Sequence, residues 1–148
     1  MVELERACPA AAHWTERQYR QAVQPESNDP QRLVLVAEAS PPTEEETGQV
    51  SGSGIVGFLV ARHLVSEWEL EDIVVAPAAR RKGLGKQLLD ALLAAHETHS
   101  ESVFLEVRES NTAARKLYEK SGFQRTGRRK FYYADPPEDA ILYRWVSV

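Results

Sequence analysis

The hydrophobic residues of this chain follow two different spacings, and each spacing predicts one kind of element. Runs of apolar and β-branched residues predict strands over residues 32–38, 54–61, 68–75, 103–107 and 141–146, with another strand from Phe123 onward. Apolar residues three and four positions apart predict an amphipathic helix over about 85–99. A second helix over 112–120 is predicted from the cap candidates Ser110 and Asn111 before it and from Gly122 after it. Shorter helices are expected over 3–12 and 15–23, the second opened by a capping box of Thr15 and Gln18.

The order of these elements predicts one α/β domain over residues 1–148 with a mixed central sheet. A length of 148 residues suits one hydrophobic core and is short for two. Residues 40–53 are rich in Pro, Glu, Gly and Ser, a composition typical of loops. We therefore expect a mobile hairpin connection at 40–53 between neighbouring strands.

The charge balance argues against several classes of partner. The chain has 18 basic and 22 acidic side chains, so its net charge of -4 offers no overall positive field for nucleic acid or an anionic membrane. Its single cysteine excludes an internal disulfide, and its 4 histidines lack the spacing of metal ligands, so no metal site is expected. With no secretory signal pattern and no run of ~20 apolar residues, we expect a cytoplasmic protein. We also expect it to be a monomer or weak dimer.

A basic segment with two glycines lies between the strand that ends at Val75 and the leucine-rich helix. Unpaired amides and the helix dipole attract phosphate at such a junction, and glycines let oxygen-rich ligands approach the main chain. The spacing fits neither a Walker loop nor a dinucleotide fingerprint. Taken alone, the segment fits an ordinary turn with a solvated basic edge better than a ligand site. Its residues are Arg80, Arg81, Lys82, Gly83, Leu84, Gly85 and Lys86.

Three ordered motifs carry a resemblance to a known family. Val75-x-x-x-x-Arg80-x-x-Gly83-x-Gly85 resembles the acetyl-CoA signature, Arg or Gln-x-x-Gly-x-Gly or Ala, of the Gcn5-related N-acetyltransferases. The motifs at 105–108 and 111–123, and the pair Tyr132 and Tyr133 followed by residues 138–140, resemble the RimI branch. That branch acetylates the N-terminal alanine of ribosomal protein S18. The similarity covers most of the chain.

The resemblance implies a mostly antiparallel central sheet flanked by helices, with acetyl-CoA as cosubstrate and no metal. Relatives usually begin with a strand before the first helix, whereas this sequence starts within that helix. We therefore expect the usual first strand to be absent here. The resemblance also implies that the main-chain amide of Val75 polarises the thioester carbonyl. The implied cofactor contacts are Ile73, Val74, Val75, Arg80, Arg81, Lys82, Gly83, Leu84, Gly85, Lys86, Asn111 and Ala114. Asn111 is equally suited to capping the helix that follows it.

Glu106 is the candidate proton acceptor. It is the one charged residue in the apolar run 103–107, where desolvation would make a carboxylate a better proton acceptor. A protonated amine must lose a proton before it attacks a thioester. Read from the strand alone, Glu106 is better explained as a solvent-facing residue or a partner of Arg108. The family resemblance assigns the base to this position and favours the catalytic interpretation.

Tyr118 is the candidate proton donor. It lies seven residues after Asn111 and four after Ala114, so the three share one helical face. An aromatic residue at helical spacing is more often part of the core. The resemblance implies instead that its phenol protonates the departing thiolate.

Tyr132, Tyr133, Glu138 and Asp139 are candidates for contacts with the acceptor, whereas 128–130 are expected to form a solvated basic strand edge. The motifs favour acetylation of a protein N-terminus. A small amine or a lysine side chain remains an alternative acceptor, because cofactor motifs say little about the acceptor pocket. A non-catalytic acyl-CoA-binding module is a third alternative.

Overall fold

A computed structural model describes residues 1–8, 14–24, 31–39, 54–96 and 101–147. The predicted loop at 40–53 lies outside these residues, as do parts of the predicted helices at 3–12 and 85–99. The elements are α1 (Val2–Arg6), α2 (Glu16–Val23), β1 (Arg32–Glu38), β2 (Ile55–Leu64), β3 (Glu67–Val75), α3 (Leu84–His96), β4 (Ser102–Arg108), α4 (Thr112–Lys120), β5 (Gln124–Ala134) and β6 (Pro137–Val146), with a single 3-10 turn at Pro77–Ala79.

The strands form one sheet in the order β1-β2-β3-β4-β6-β5. Every neighbouring pair is antiparallel except β3 and β4, which confirms the expected mixed, mostly antiparallel sheet. Among the described residues no strand precedes α1, as expected. The predicted helix over 112–120 is observed at the same bounds, Thr112–Lys120. Thr15 and Gln18 form the predicted capping box, in which the Thr15 amide donates to the Gln18 side chain at 2.8 Å.

Helices cover both faces of the sheet because the strands bury residues on both sides. On one face Leu59 and Ala61 of β2 join a cluster with the leucines of α3. On the opposite face Phe58 and Val60 pack against residues of α1 and α2, including Tyr19. The alternation of side chains along a strand sends consecutive residues to opposite faces, so β2 contributes to both clusters.

A β-bulge in β3 reverses which residues face each helix layer. Val60 pairs with Asp72 but Ala61 pairs with Leu70, so Glu71 is an extra residue in β3. Before the bulge Leu70 belongs to the cluster under α3, and after it Asp72 contacts Tyr19 of α2. A one-residue shift moves side chains to the other face. The bulge therefore places an acidic side chain on the α2 side.

The turn between β2 and β3 contains a strained residue. Val65 has φ of 53° and is fully exposed. A β-branched residue is disfavoured in this left-handed region, which asparagine tolerates better. We expect Val65→Asn to raise the free energy of unfolding by about 1 kcal/mol, measured by urea denaturation.

Val146→Asn is the matched control for this prediction. Val146 is also exposed, at 57%, but it lies in β6 without a positive φ. The substitution Val146→Asn should therefore not raise the free energy of unfolding. An equal effect of the two substitutions would show that polarity, and not backbone strain, controls the result.

Candidate active site

The sheet splits between β3 and β4, and the split forms a cleft. The parallel pairing joins only three residue pairs, from Glu67 opposite Ser102 to Glu69 opposite Phe104. Beyond Glu69 the two strands share no ladder, although β3 continues to Val75 and β4 to Arg108. The C-terminal halves of both strands therefore face a gap that side chains from other elements can enter.

One cavity of about 420 Å³ lies where β3, the basic loop and α4 meet. Eleven of the twelve residues proposed to contact the cofactor line this cavity in the described chain, whereas Lys82 does not. Cys8 of the N-terminal segment and Leu117 of α4 also line it, and the sequence patterns did not single them out. The eleven are Ile73, Val74, Val75, Arg80, Arg81, Gly83, Leu84, Gly85, Lys86, Asn111 and Ala114.

The loop at the start of α3 has the backbone shape of an anion cradle. Arg81 and Gly83 both have left-handed φ values, 63° and 80°. The first backbone hydrogen bond of the helix runs from Gln87 N to Gly83 O at 3.0 Å, so the preceding amides have no partner within the helix. A Cβ on Gly83 would meet nothing within 4 Å, which means that the space beside it is open to a ligand. A diphosphate fits amides presented in this way.

Gly85 has a different role, because its surroundings are tight. A Cβ there would lie 3.1 Å from Leu117 of α4 and 3.8 Å from Val75 of β3. The missing side chain therefore lets the first turn of α3 approach both elements that border the cavity.

The basic side chains of the loop differ in what they contact. Arg80 donates from Nε to the carbonyl of Val75 at 3.0 Å and from Nη2 to the sulfur of Cys8 at 3.2 Å. Lys86 pairs with Asp90 one turn along α3 at 2.6 Å. Arg80 thus holds the loop against the end of β3 in addition to bringing positive charge to the cavity.

A second cavity of about 360 Å³ lies on the other side of the split. Glu106 of β4 and Tyr118 of α4 both line it, together with the predicted acceptor-side residues Tyr132 and Tyr133. Four ionisable groups predicted from separate segments are therefore brought to one space. The remaining lining residues are Trp14, Glu69, Leu70, Glu71, Asp72, Ile73, Val107, Arg108, Asn111 and Ala114.

Three residues line both cavities, and they mark where the two spaces meet. They are Ile73 on β3 and Asn111 and Ala114 on α4. Asn111 caps α4, because its Oδ1 accepts from the amide of Ala114 at 3.2 Å. Its amide nitrogen carries donors as well, so capping and contact with a ligand are compatible.

Glu106 is paired with a residue that the sequence did not suggest. Its Oε1 lies 2.5 Å from Nη1 of Arg129 on β5, and its side chain is 15% exposed. The hydrogen bond between Tyr132 and Glu106 raises the pKa of the Tyr132 hydroxyl. The suggested partner Arg108 instead pairs with Glu138 at 3.3 Å. The proposed base is thus a largely buried carboxylate with one cationic and one phenolic neighbour.

Tyr118 is packed into the core and also reaches the second cavity. Its ring contacts Phe123 and Tyr143, with centroids 5.8 Å and 6.2 Å away. Burial, followed by the nearby carboxylate of Asp72, raises the pKa of the Tyr118 hydroxyl. The core interpretation and the catalytic interpretation of this residue are therefore compatible, and the hydroxyl keeps its proton at neutral pH.

A bulge in the β5–β6 hairpin orients the tyrosine pair. The register shifts between Arg129 and Tyr133, and Phe131 adopts φ of 53° while its amide donates to Asp139 at 2.8 Å. The Phe131 amide, with Arg128, lowers the pKa of Asp139. Burial raises the pKa of Tyr133 to about 12. The extra residues of the bulge turn Tyr132 and Tyr133 toward the cavity while Phe131 stays 81% exposed.

Glu138 does not line either cavity in the described chain. It accepts from the amide of Ser110 at 2.5 Å, and hydrogen bonds from Ser110 lower its pKa. It also pairs with Arg108, whose guanidinium lies 4.1 Å from the ring centre of Tyr133. Glu138 therefore positions Arg108 against the ring of Tyr133. Within the described chain it does not line the cavity where its contact with the acceptor was expected.

Residues 128–130 are exposed on the edge strand β5, as expected, and two of them also form ion pairs. Arg128 pairs with Glu109 at 3.0 Å and with Asp139 at 2.5 Å, and Arg129 pairs with Glu106. The acidic partners lie far away in sequence on other strands or loops. Strand pairing brings them together, and charge counting along the sequence does not reveal it.

A family model for the acetyltransferase (GNAT) family matches residues 1–123. The chain belongs to this acetyltransferase family. N-alpha-acetyltransferase RimI of Mycobacterium tuberculosis is 37% identical over 111 residues, which cover 72% of this chain and 69% of that protein. The ribosomal protein bS18-alanine N-acetyltransferase of Haemophilus ducreyi is 40% identical over 92 residues. These cover 60% of this chain and 63% of that relative, so the match spans less than two thirds of its length.

Solved structures agree with this assignment of the acetyltransferase. The crystal structure of the ribosomal-protein-S18-alanine N-acetyltransferase from Escherichia coli aligns with a TM-score of 0.72 and 27% identity. The alignment covers 99% of this chain and 86% of that one. The similarity therefore extends across the whole described fold, including the β5–β6 hairpin beyond the family-model match.

Two negative findings apply to the described part of this acetyltransferase. No helix there is long and apolar enough to cross a membrane. No group of three His, Cys, Asp or Glu side chains there is arranged to hold a metal ion.

Sequence reasoning missed Asp72 and Arg129 in this acetyltransferase. Asp72 is only 6% exposed and accepts from the hydroxyl of Tyr19 at 2.9 Å. Asp72 follows the two-residue spacing of buried Trp68, Leu70 and Val74, so its burial could have been predicted from the sequence. Buried carboxylates are rare outside functional or paired sites. Arg129 had no such signal.

The cradle predicts the effect of a side chain at Gly83. Its φ of 80° disfavours an L-residue, so Gly83→Ala costs about 1 kcal/mol to hold the loop in its present shape. We expect roughly five-fold weaker binding of coenzyme A by calorimetry. Gly54→Ala is the control, because a Cβ on Gly54 also meets nothing within 4 Å and its φ is not positive. Equal affinities for the two variants would contradict the cradle.

Proposed function

We propose that this protein transfers the acetyl group of acetyl-CoA to an amine, and that the amine is the N-terminus of a protein. The observation that carries the proposal is the pair of cavities that meet at Ile73, Asn111 and Ala114. One side has an anion cradle, and the other has a carboxylate and a protonated phenol. Membership of the acetyltransferase family supports acetyl-CoA as the donor.

The residues of the first cavity fit the donor. The amides before Gln87 and the basic side chains around Gly83 suit a diphosphate, and the apolar residues Val75 and Leu117 suit an uncharged chain that leads toward the split. When bound, acetyl-CoA supplies the acetyl group as a thioester. The proposed task of β3 is to hold that thioester at the junction of the two cavities.

Glu106 is proposed to take a proton from the amine on the other side of the junction. An α-amino group with pKa about 7.7–8.0 is mostly charged at neutral pH and is then not nucleophilic. A carboxylate that is 15% exposed is close enough to solvent to pass the proton on and sheltered enough to interact strongly with the amine. The nitrogen then forms its bond to the acetyl carbon as the carbon-sulfur bond breaks.

Tyr118 is proposed to donate its phenolic proton to the leaving sulfur. Its burial raises the pKa of the hydroxyl, which keeps the proton in place until the thiolate forms. Its position on the helical face of α4 that contains Ala114 supports this role, because Ala114 lines both cavities. The phenol returns to its starting state by recovering a proton from solvent or from the amine.

The names of the relatives support a protein N-terminus as acceptor. One relative is named an N-alpha-acetyltransferase, and the other is named an alanine N-acetyltransferase of ribosomal protein bS18. The ring pair of Tyr132 and Tyr133, with centroids 5.1 Å apart, offers an apolar wall on which the first residues of a peptide can lie. A small amine would leave this wall without a partner.

Acetylation of an alanine-starting peptide tests the function directly. We expect purified protein with acetyl-CoA to add one acetyl group at the α-amine, detected by mass spectrometry. A panel of polyamines, small amines and peptides with a blocked N-terminus and a free lysine should react at least about ten-fold more slowly, since they lack contacts along the tyrosine wall. Faster turnover of a small amine would replace the proposed acceptor, and no turnover with tight coenzyme A binding would indicate a non-catalytic module.

Substitutions of the two proposed acid-base groups test the mechanism. We expect Glu106→Gln to lower kcat by about 10² to 10⁴, with the larger loss at low pH, where more of the amine is protonated. Tyr118→Phe should lower kcat in the same range and leave the affinity for coenzyme A unchanged. Because the raised pKa keeps the Tyr118 hydroxyl protonated, the loss of kcat in Tyr118→Phe should stay constant between about pH 6 and 9. Wild-type rates in both variants would remove these roles.

A further inference from the structure

Arg129 forms an ion pair with Glu106, the proposed base, and side-chain packing alone does not explain this contact. The guanidinium lies 2.5 Å from Glu106 across the intervening strand β6. Arg129 itself is 55% exposed, so most of its side chain is not needed to fill the core. An exposed arginine with an inward-facing partner contributes little to stability. The main electrostatic effect of Arg129 is therefore on the carboxylate of Glu106.

We propose that Arg129 is a competing cation that covers Glu106 until a cationic acceptor displaces it. The inference rests on the proposed function, in which Glu106 receives the amine. An amine arrives mostly as an ammonium ion at neutral pH, and the ammonium and the guanidinium compete for the same carboxylate. The acceptor must therefore bring a positive charge to Glu106 and release Arg129 to solvent.

The strand register places Arg129 where it can move in this way. Arg129 pairs with Ala140 on β6, and Ala140 also pairs with Arg108 on β4, two residues beyond Glu106. Directly paired residues point to the same face of a sheet, so Arg129, Arg108 and Glu106 share the face that borders the second cavity. The small Ala140 between them leaves the long side chain of Arg129 free to reach Glu106 or swing outward.

Tyr132 couples the position of Arg129 to the acceptor wall. The guanidinium carbon of Arg129 lies 4.9 Å from the centre of the Tyr132 ring, and the hydroxyl of Tyr132 shares a hydrogen bond with Glu106. When Arg129 leaves, Tyr132 keeps its bond to the carboxylate and remains as the wall beside the bound amine. The other ionisable groups that line this space in the described chain are Glu69, Glu71 and Asp72 of β3, Arg108 of β4, Tyr118 of α4 and Tyr133 of β5.

Arg128 provides a matched control on the same strand. It is 45% exposed and pairs with Glu109 and Asp139, neither of which lines the second cavity in the described chain. Arg128→Ala and Arg129→Ala remove the same charge from neighbouring positions. Only Arg129→Ala changes the surroundings of Glu106.

Steady-state kinetics with an alanine-starting peptide test the proposal. We expect Arg129→Ala to lower KM for the peptide roughly two- to five-fold at pH about 7, where the amine is mostly charged, because the competing cation is gone. In the pH profile of KM this gain should shrink toward pH about 9, where most of the amine is neutral and no longer competes as a cation. Arg129→Lys should restore the wild-type profile, and Arg128→Ala should match wild type in both measurements.

A binding measurement keeps this test separate from the proposed function. Calorimetry of the same peptide with protein saturated with coenzyme A should show tighter binding to Arg129→Ala by a similar factor. If wild type transfers no acetyl group to any amine, the proposed function fails, and the calorimetry still decides on Arg129. If wild type is active but Arg129→Ala has an unchanged or raised peptide KM at pH about 7, Arg129 is not a competitor and the inference is wrong.

Discussion

The short parallel pairing between β3 and β4 is the feature on which the site depends. Three residue pairs join the strands, and the ladder then stops while both strands continue. The unpaired halves expose main-chain groups and alternate side chains to a common gap, which a continuous sheet would have closed. Because β2 holds β3 and β6 holds β4 by long antiparallel ladders, the gap is kept open by rigid elements on both sides.

The two sides of the gap differ in charge, and the difference suits the two reactants. The loop side combines helix amides with arginine and lysine side chains, which attract an anion. The other side contains carboxylates, several of which already have guanidinium partners: Glu69 pairs with Arg62, Glu71 with Arg32 and Glu106 with Arg129. Such pairing keeps the cavity from carrying a large uncompensated negative charge. Under the proposed function, a cationic amine exchanges with a resident cation when it enters.

Much of the fold followed from local patterns, and the exceptions have local causes. Element type and order were predicted from the spacing of apolar residues in α3, the cap residues of α4 and the β-branched runs of the strands. The extra residue Glu71 was not visible, because burial along β3 alternates without interruption through the bulge even though the side chains change faces. The bulge at Phe131 was likewise hidden within a run that reads as one strand. Bulges are set by pairing with a partner strand, which a single strand does not encode.

The sequence by itself indicated the proposed cradle through its resemblance to an acetyl-CoA signature, because all of its parts lie within seven consecutive residues between a strand and a helix. It also indicated Glu106 and Tyr118, one as a charge in an apolar strand and the other on the face of a helix. Only the tertiary structure decided what surrounds them: Arg129 across β6, Asp72 at the bulge and Cys8 behind Arg80. These contacts join residues 23 to 72 positions apart, and a pair at such a separation is chosen by strand register and helix packing and not by local propensity.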